Sequence, residues 1–395
     1  MCQNVESKLK RNIPLFYIYH FLTQIRVDNV LWLLYMQSKG LSLWEIGICE
    51  SVLHISSLIF EIPTGAVGDY FGRKRSLQIG AFLHIVTYTL MLFGNSFYDF
   101  IIAFFVFGFA MTFISGSDTA LIYDTYKVLG IEKNFKKAIG TFMAILIIGE
   151  LTSNMTGGLL SRINWNAVYI GAIVSRSLYF FLVSSFYEPP RILSEKNRSY
   201  FRIVKNGVAQ ILKTKFLRWL TIFWVSISFF SSTVYFYSQT YFKSRGLSPF
   251  QVSVWFTVGS IIGIFVAKFA PKLDDLIGRE KVLLLSIVTF SVPLMFYGYL
   301  PIALSILVML VTSNVMNVVD TLMGYYVNRK IDSEHRATAN SVIGMGFSLS
   351  MIIFFPLFGL LSERLRYPTA FLFVGVVSLL LLALSLKMIL RYSSY

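Results

Sequence analysis

The chain has 395 residues, 35 basic and 20 acidic, for a formal net charge of +15; 55% of its residues are hydrophobic and only 14% charged. Soluble domains average about 25% charged residues, so there is too little charge here to coat a soluble protein, and a mean hydropathy of +0.65 agrees. Two cysteines exclude a disulfide scaffold, a 16% aromatic content excludes disorder, and without a soluble basic face the charge does not indicate nucleic acid as a partner.

What remains is an all-α membrane protein. A spanning helix needs about 20 mostly apolar residues. Twelve stretches qualify: roughly 14–36, 44–68, 76–94, 98–122, 138–160, 166–187, 219–242, 249–271, 282–298, 301–327, 338–361 and 368–390. The first follows a short basic segment (Lys8, Lys10, Arg11) and is too long for a signal-peptide core. Lys39, Arg162, Lys243, Arg245, Arg364 and Arg366 fall in loops on one side, and Arg26, Arg176 and Lys268 within spans; all other basic residues lie on the side of the termini. Lys/Arg bias therefore predicts a multi-pass protein with both termini cytoplasmic, and the plasma membrane is its expected location.

The stretch 188–218 is the one sizeable polar segment. Pro189 and Pro190 end the sixth span, and Phe201, Val204, Val208, Ile211 and Leu212 give the rest a weak amphipathic spacing suited to the inner membrane surface. The expected organisation is a six-helix bundle (1–187), a cytoplasmic linker (188–218) and a second six-helix bundle (219–395).

The halves are related in sequence. Lys39-Gly40-Leu41-Ser42 matches Arg245-Gly246-Leu247-Ser248, and Asp69-x-x-Gly72-Arg73 matches Asp275-x-x-Gly278-Arg279, each 206 residues apart. Asp118, Thr119 and Tyr123 match Asp320, Thr321 and Tyr325 at 202; Lys137-Ala138 matches Arg336-Ala337 at 199. Two pseudo-symmetric bundles are a transporter arrangement, with the substrate site expected between them near the midplane.

The run Gly65-Ala66-Val67-Gly68-Asp69-Tyr70-Phe71-Gly72-Arg73-Lys74-Arg75 resembles the major facilitator superfamily signature G-x-x-x-D-x-x-G-R-K/R-K/R between spans two and three. The second copy is degenerate, with Pro271 at the first glycine and Glu280 at a basic position. Phe60–Gly65 and the segment Ser115–Asp124 look like a bacterial branch of that superfamily usually labelled as exporters. The resemblance implies alternating access by rocking of the halves, no cofactor, no enzymatic activity and a monomer. Drug–proton antiporter motifs are poor: Phe104 stands where an arginine is usual, and Thr152 and Asn154 replace a glycine and a proline. No P-loop or H-E-x-x-H motif occurs, and the four histidines have no metal-ligand spacing.

Ionisable groups inside spans are costly and so mark candidate functional sites. Arg26, Asp28, Glu150 and Arg176 fall near mid-depth if each span is a straight helix rising 1.5 Å per residue. Asp28 or Glu150 would carry protons; the alternative is a static clamp of Arg26 or Arg176 on Glu150. Gln24, Asn29, Trp32, Tyr235, Gln239, Asn314, Asn317 and Asp320 are candidate substrate contacts. Glu61, Gly65, Asp69, Gly72, Arg73, Lys74, Asp118 and Asp124 would form a cytoplasmic gate. Apolar walls with few polar anchors suit lipophilic or cationic small molecules exported against protons; uptake of a nutrient is the alternative.

Overall fold

The computed structural model describes residues 2–190, 208–331 and 336–392. They are helical, without strands. In chain order the helices are α1 (Cys2–Gln24), α2 (Trp32–Ser38), α3 (Leu43–Phe71), α4 (Arg73–Phe93), α5 (Phe97–Ile114), α6 (Ser117–Val128), α7 (Phe135–Ser161), α8 (Trp165–Ser184), α9 (Lys215–Ser244), α10 (Pro249–Ile277), α11 (Arg279–Tyr297), α12 (Ile302–Lys330) and α13 (Arg336–Tyr392).

Ten helices among the described residues are long and apolar enough to cross a bilayer. The last of these breaks at Arg366 (φ 64°, ψ 158°), which divides α13 into two spans, 336–365 and 367–392. The first span is α1 with α2, too polar to be counted with the others. That makes twelve, as the sequence predicts.

Helix ends are closed by side chains where the loops are short. Ser96 and Asp99 form a reciprocal capping box on α5, Asn164 accepts from the Ala167 N–H at the head of α8, and Thr214 accepts from that of Leu217 on α9. Each cap satisfies backbone donors that a helix start leaves open. Of the predicted linker helix, residues 191–207 lie outside the described residues; 208–212 are helical, with Ile211 buried and Val208 and Leu212 exposed.

The chain forms two compact units. One comprises Met1–Lys39, Val52–Lys196 and Pro249–Val254; the other Gly40–Ser51, Asn197–Ser248 and Trp255–Tyr395. In the first, α4 packs on α5 and α8, and α1 on α7; in the second, α9, α11 and α13 pack together with α12. Within the second unit Gly47 lies against Pro356, Gly359 against the Leu43 carbonyl, and the Ser51 hydroxyl donates to the Ile352 carbonyl.

The internal repeat is present in the backbone as well as in the sequence. Gly40 and Gly246 have φ of 91° and 94°, and Gly72 and Gly278 have φ of 111° and 82°. These values exclude most side chains. The Tyr35 hydroxyl donates to the Met91 carbonyl (2.6 Å), and the Tyr241 hydroxyl to that of Tyr297 (3.2 Å), again 206 residues on. Lys39 sits over the Tyr35 ring and Arg245 over that of Tyr241.

Candidate functional site

The first span does not run straight. It unwinds between Gln24 and Trp32, so the expectation of one helix over 14–36 is corrected, and with it the depth of Arg26 inferred from a helical rise. Unwinding frees main-chain carbonyls, and inside a membrane each needs a donor. Both Nη atoms of Arg176 donate to the Thr23 carbonyl (3.1 Å each), and Nη2 also to that of Ile25 (3.1 Å). The hydroxyl of Ser175 donates to the Ile25 carbonyl (3.0 Å) and that of Ser153 to the Arg26 carbonyl. Arg176 thus caps the C-terminal end of α1, where a cation also meets the negative end of the helix dipole. Gly157 of α7 packs directly on the Val27 carbonyl, a close approach that a Cβ would block.

The unwound turn presents charge. Asp28 is 5% exposed and accepts a hydrogen bond from the Tyr88 hydroxyl (3.1 Å). Arg26, whose guanidinium lies 4.8 Å over the Phe107 ring, and Arg176, 5.8 Å over that of Tyr88, are the cations acting on this carboxylate. On a helix, residues two apart diverge; here the loss of helix lets Arg26 and Asp28 share one pocket. The Asn29 amide donates to the Asn154 side chain (3.1 Å), so the asparagine at the position usual for proline serves the break. Trp32 packs on Phe104, 5.3 Å between rings. Gln24 ends α1, and Gly149 packs on it; Glu150, the next residue of α7, is half-buried.

Of the predicted gate residues, Asp69, Gly72, Arg73, Lys74 and Asp124 meet at the α3–α4 turn, whereas Glu61 and Asp118 bond elsewhere. Arg73 pairs with Asp124 at 2.5 Å. Glu188 accepts from the backbone N–H of Arg73 (2.9 Å) and Lys74 (2.7 Å), capping α4, and Gly72 makes the turn. Glu61 accepts from the Ser115 hydroxyl (2.9 Å) beside the break at Gly116 that divides the fourth span into α5 and α6. Asp118 accepts from the Tyr19 hydroxyl (3.4 Å) and from its neighbour Thr119. Asp69 is exposed in the last turn of α3. Gly65 has open space around it, whereas Gly68 is the glycine packed against Ser117.

In the second unit the candidates scatter. Asn314 donates to the carbonyls of Gly259 (3.2 Å) and Leu310 (2.7 Å), and Asn317 donates to Asn314 (3.0 Å); these amides tie α12 to α10. Asp320 accepts from the Trp224 indole (2.6 Å). Tyr235 packs on Phe256. Gln239 is fully buried, and neither end of its amide has a hydrogen-bond partner among the described residues. Sequence reasoning missed Tyr88, Ser153, Ser175 and Glu188. Glu188 precedes the Pro189-Pro190 stop and so was visible as a helix-end acid; the other three carry no local signal.

The sequence pattern of the Major Facilitator Superfamily matches residues 17–315 and 269–393. The chain is 25% identical over 393 residues to the uncharacterized MFS-type transporter YxaM of Bacillus subtilis, covering 93% of this chain and 94% of that protein. It is 20% identical over 392 residues to the uncharacterized MFS-type transporter MJ1560 of Methanocaldococcus jannaschii, covering 94% and 97%. Among solved structures, the nucleoside transporter NupG superposes with a TM-score of 0.78 at 16% identity, covering 98% of this chain and 99% of that one. A D-xylose–proton symporter gives 0.68 at 17% identity, with 96% of each covered.

Proposed function

The chain belongs to the Major Facilitator Superfamily of membrane transporters, and from that premise we propose that it is a proton-coupled secondary transporter in which Asp28 carries the proton. The observation behind this reading is the unwound first span, which holds one nearly buried carboxylate against a phenol and two guanidiniums. When Asp28 is charged, it offsets part of the charge of Arg26 and Arg176. When it is protonated, Tyr88 loses a charged acceptor, and the net positive charge at the break rises by one. A group with two such states, lodged where one helix is already interrupted, can couple protonation to a change of access.

For the substrate we favour a lipophilic or cationic small molecule moved outward. The side chains of Asn29, Asn314, Asn317 and Asp320 are bonded within the protein, which leaves few polar anchors among many aromatic rings. Uptake of a polar metabolite is the second reading. It is supported by the Gln239 amide, which offers a buried donor and acceptor, and by similarity to a nucleoside transporter and a sugar–proton symporter.

Proteoliposomes with an imposed pH gradient, offered lipophilic cations, nucleosides and pentoses, test both parts. Asp28→Asn is expected to lose at least tenfold of gradient-driven transport while substrate counterflow persists. Unchanged coupling in that variant overturns the assignment of Asp28. Movement of a nucleoside or pentose in place of the cations overturns the export reading.

A further inference from the structure

Arg73 and Arg279 are counterparts in the repeat, yet their surroundings differ in charge. In the first unit two carboxylates meet at the head of α4: Asp124 on the Arg73 guanidinium, and Glu188 on the backbone N–H groups of Arg73 and Lys74. In the second unit Tyr326 takes the place of Asp124, 202 residues on, and among the described residues no side chain is seen capping the start of α11 at Gly278. Among the described residues no carboxylate lies within ion-pair distance of Arg279. Its guanidinium instead lies over the rings of Phe216 (5.2 Å) and Tyr326 (5.7 Å), and its Nε is buried without a hydrogen-bond partner.

A cavity of about 660 Å³ opens at this place, and Arg279, Arg329 and Lys330 line it together with Phe216, Tyr325 and Tyr326. Asp274 and Asp275 also border it: the Asp274 carboxylate lies near the Tyr326 hydroxyl with one oxygen buried and without a hydrogen-bond partner among the described residues, and Asp275 is exposed. We propose that this cavity binds a phosphate ester anion, which supplies the charge that Asp124 and Glu188 supply in the first unit. A phosphate suits the site better than a carboxylate for three reasons. Its oxygens can meet a guanidinium fork and an uncapped helix start together. Among the described residues, three lining cations outnumber two lining acids. At neutral pH a monoester approaches the charge of the two first-unit carboxylates, and a diester headgroup matches that of one. Two sources carry this chemistry: the headgroup of an anionic phospholipid, or a soluble phosphate ester. Phe269 and Leu276 are both exposed on α10 and flank the lining segment, which offers acyl chains a surface.

Native mass spectrometry of the full chain in detergent tests the site. The probes are phosphatidylglycerol, diacylglycerol with the same acyl chains, and glycerol 3-phosphate. Tyr326→Asp installs the carboxylate of the first unit, and Arg279→Gln removes the fork; each is expected to weaken binding at least tenfold while the protein elutes as the wild type does. Retention of phosphatidylglycerol over diacylglycerol supports a lipid headgroup, and retention of glycerol 3-phosphate supports a soluble ester. The proposal is overturned if diacylglycerol binds as well as phosphatidylglycerol with glycerol 3-phosphate unbound, or if both variants bind within twofold of the wild type.

Discussion

The first span of each half takes a different course. In the first unit, α1 and α2 are separated by an unwound turn; in the second, α9 runs unbroken for 30 residues from Lys215 to Ser244. Neither the unwound turn nor α9 contains proline or glycine, so backbone propensity does not explain the contrast. The neighbours do. The sixth span of the first unit, α8, brings Arg176 and Ser175 to the freed carbonyls. Its counterpart, the second part of α13, has no basic residue between Arg366 and Lys387, and its Ser378 bonds Ser291 and the Gly375 carbonyl. An interrupted helix persists in lipid where a partner supplies donors, and an uninterrupted one needs none.

That contrast can be broken most sharply at Arg176. Arg176→Ala leaves the Thr23 and Ile25 carbonyls short of donors and should lower stability by about 3 kcal/mol, seen as the largest drop in unfolding temperature in detergent. Arg176→Lys should recover only part, because an ammonium lacks the planar fork that spans both carbonyls. A loss below about 1 kcal/mol in the alanine variant would mean that the break holds itself open.

The next effect probes likeness instead of difference. Gly72→Ala and Gly278→Ala force an L-residue into positive φ, at about 1–2 kcal/mol each. Equal losses in the same unfolding assay would confirm that the two turns are mechanically equivalent despite their different charges. Ser175→Ala should cost about 1 kcal/mol and Ser378→Ala about 0.6 kcal/mol, since only the first serine serves unwound backbone. Tyr35→Phe should cost least, about 0.5 kcal/mol, and Tyr241→Phe about 1 kcal/mol, because the Tyr241 phenol bonds Ser305 and Arg245 besides a main-chain carbonyl two helices on.

Much of the architecture is legible in the residues. Twelve apolar stretches of bilayer length follow from composition, and the paired glycines at 40/246 and 72/278 already indicate the repeat that the backbone angles bear out. The Arg73–Asp124 pair was legible only as membership of one gate, since the two residues belong to different helices. Less could be read at the first span. Gln24, Arg26, Asp28 and Asn29 mark it as unusual, but a polar run inside a hydrophobic stretch fits a helix with costly side chains as well as no helix. Which it is depends on Arg176, Ser175 and Ser153, more than 120 residues away in the chain.

The sequence by itself determined how many times the chain crosses the membrane and that its halves are copies, because hydrophobic length and glycine placement are local and need no partner to act. The tertiary structure alone decided where a crossing is interrupted, which carboxylate is held there, and which amides are used up in holding helices together. Those outcomes turn on whether a donor from a distant helix reaches a carbonyl that lipid cannot solvate, and only the folded bundle brings the two within 3 Å.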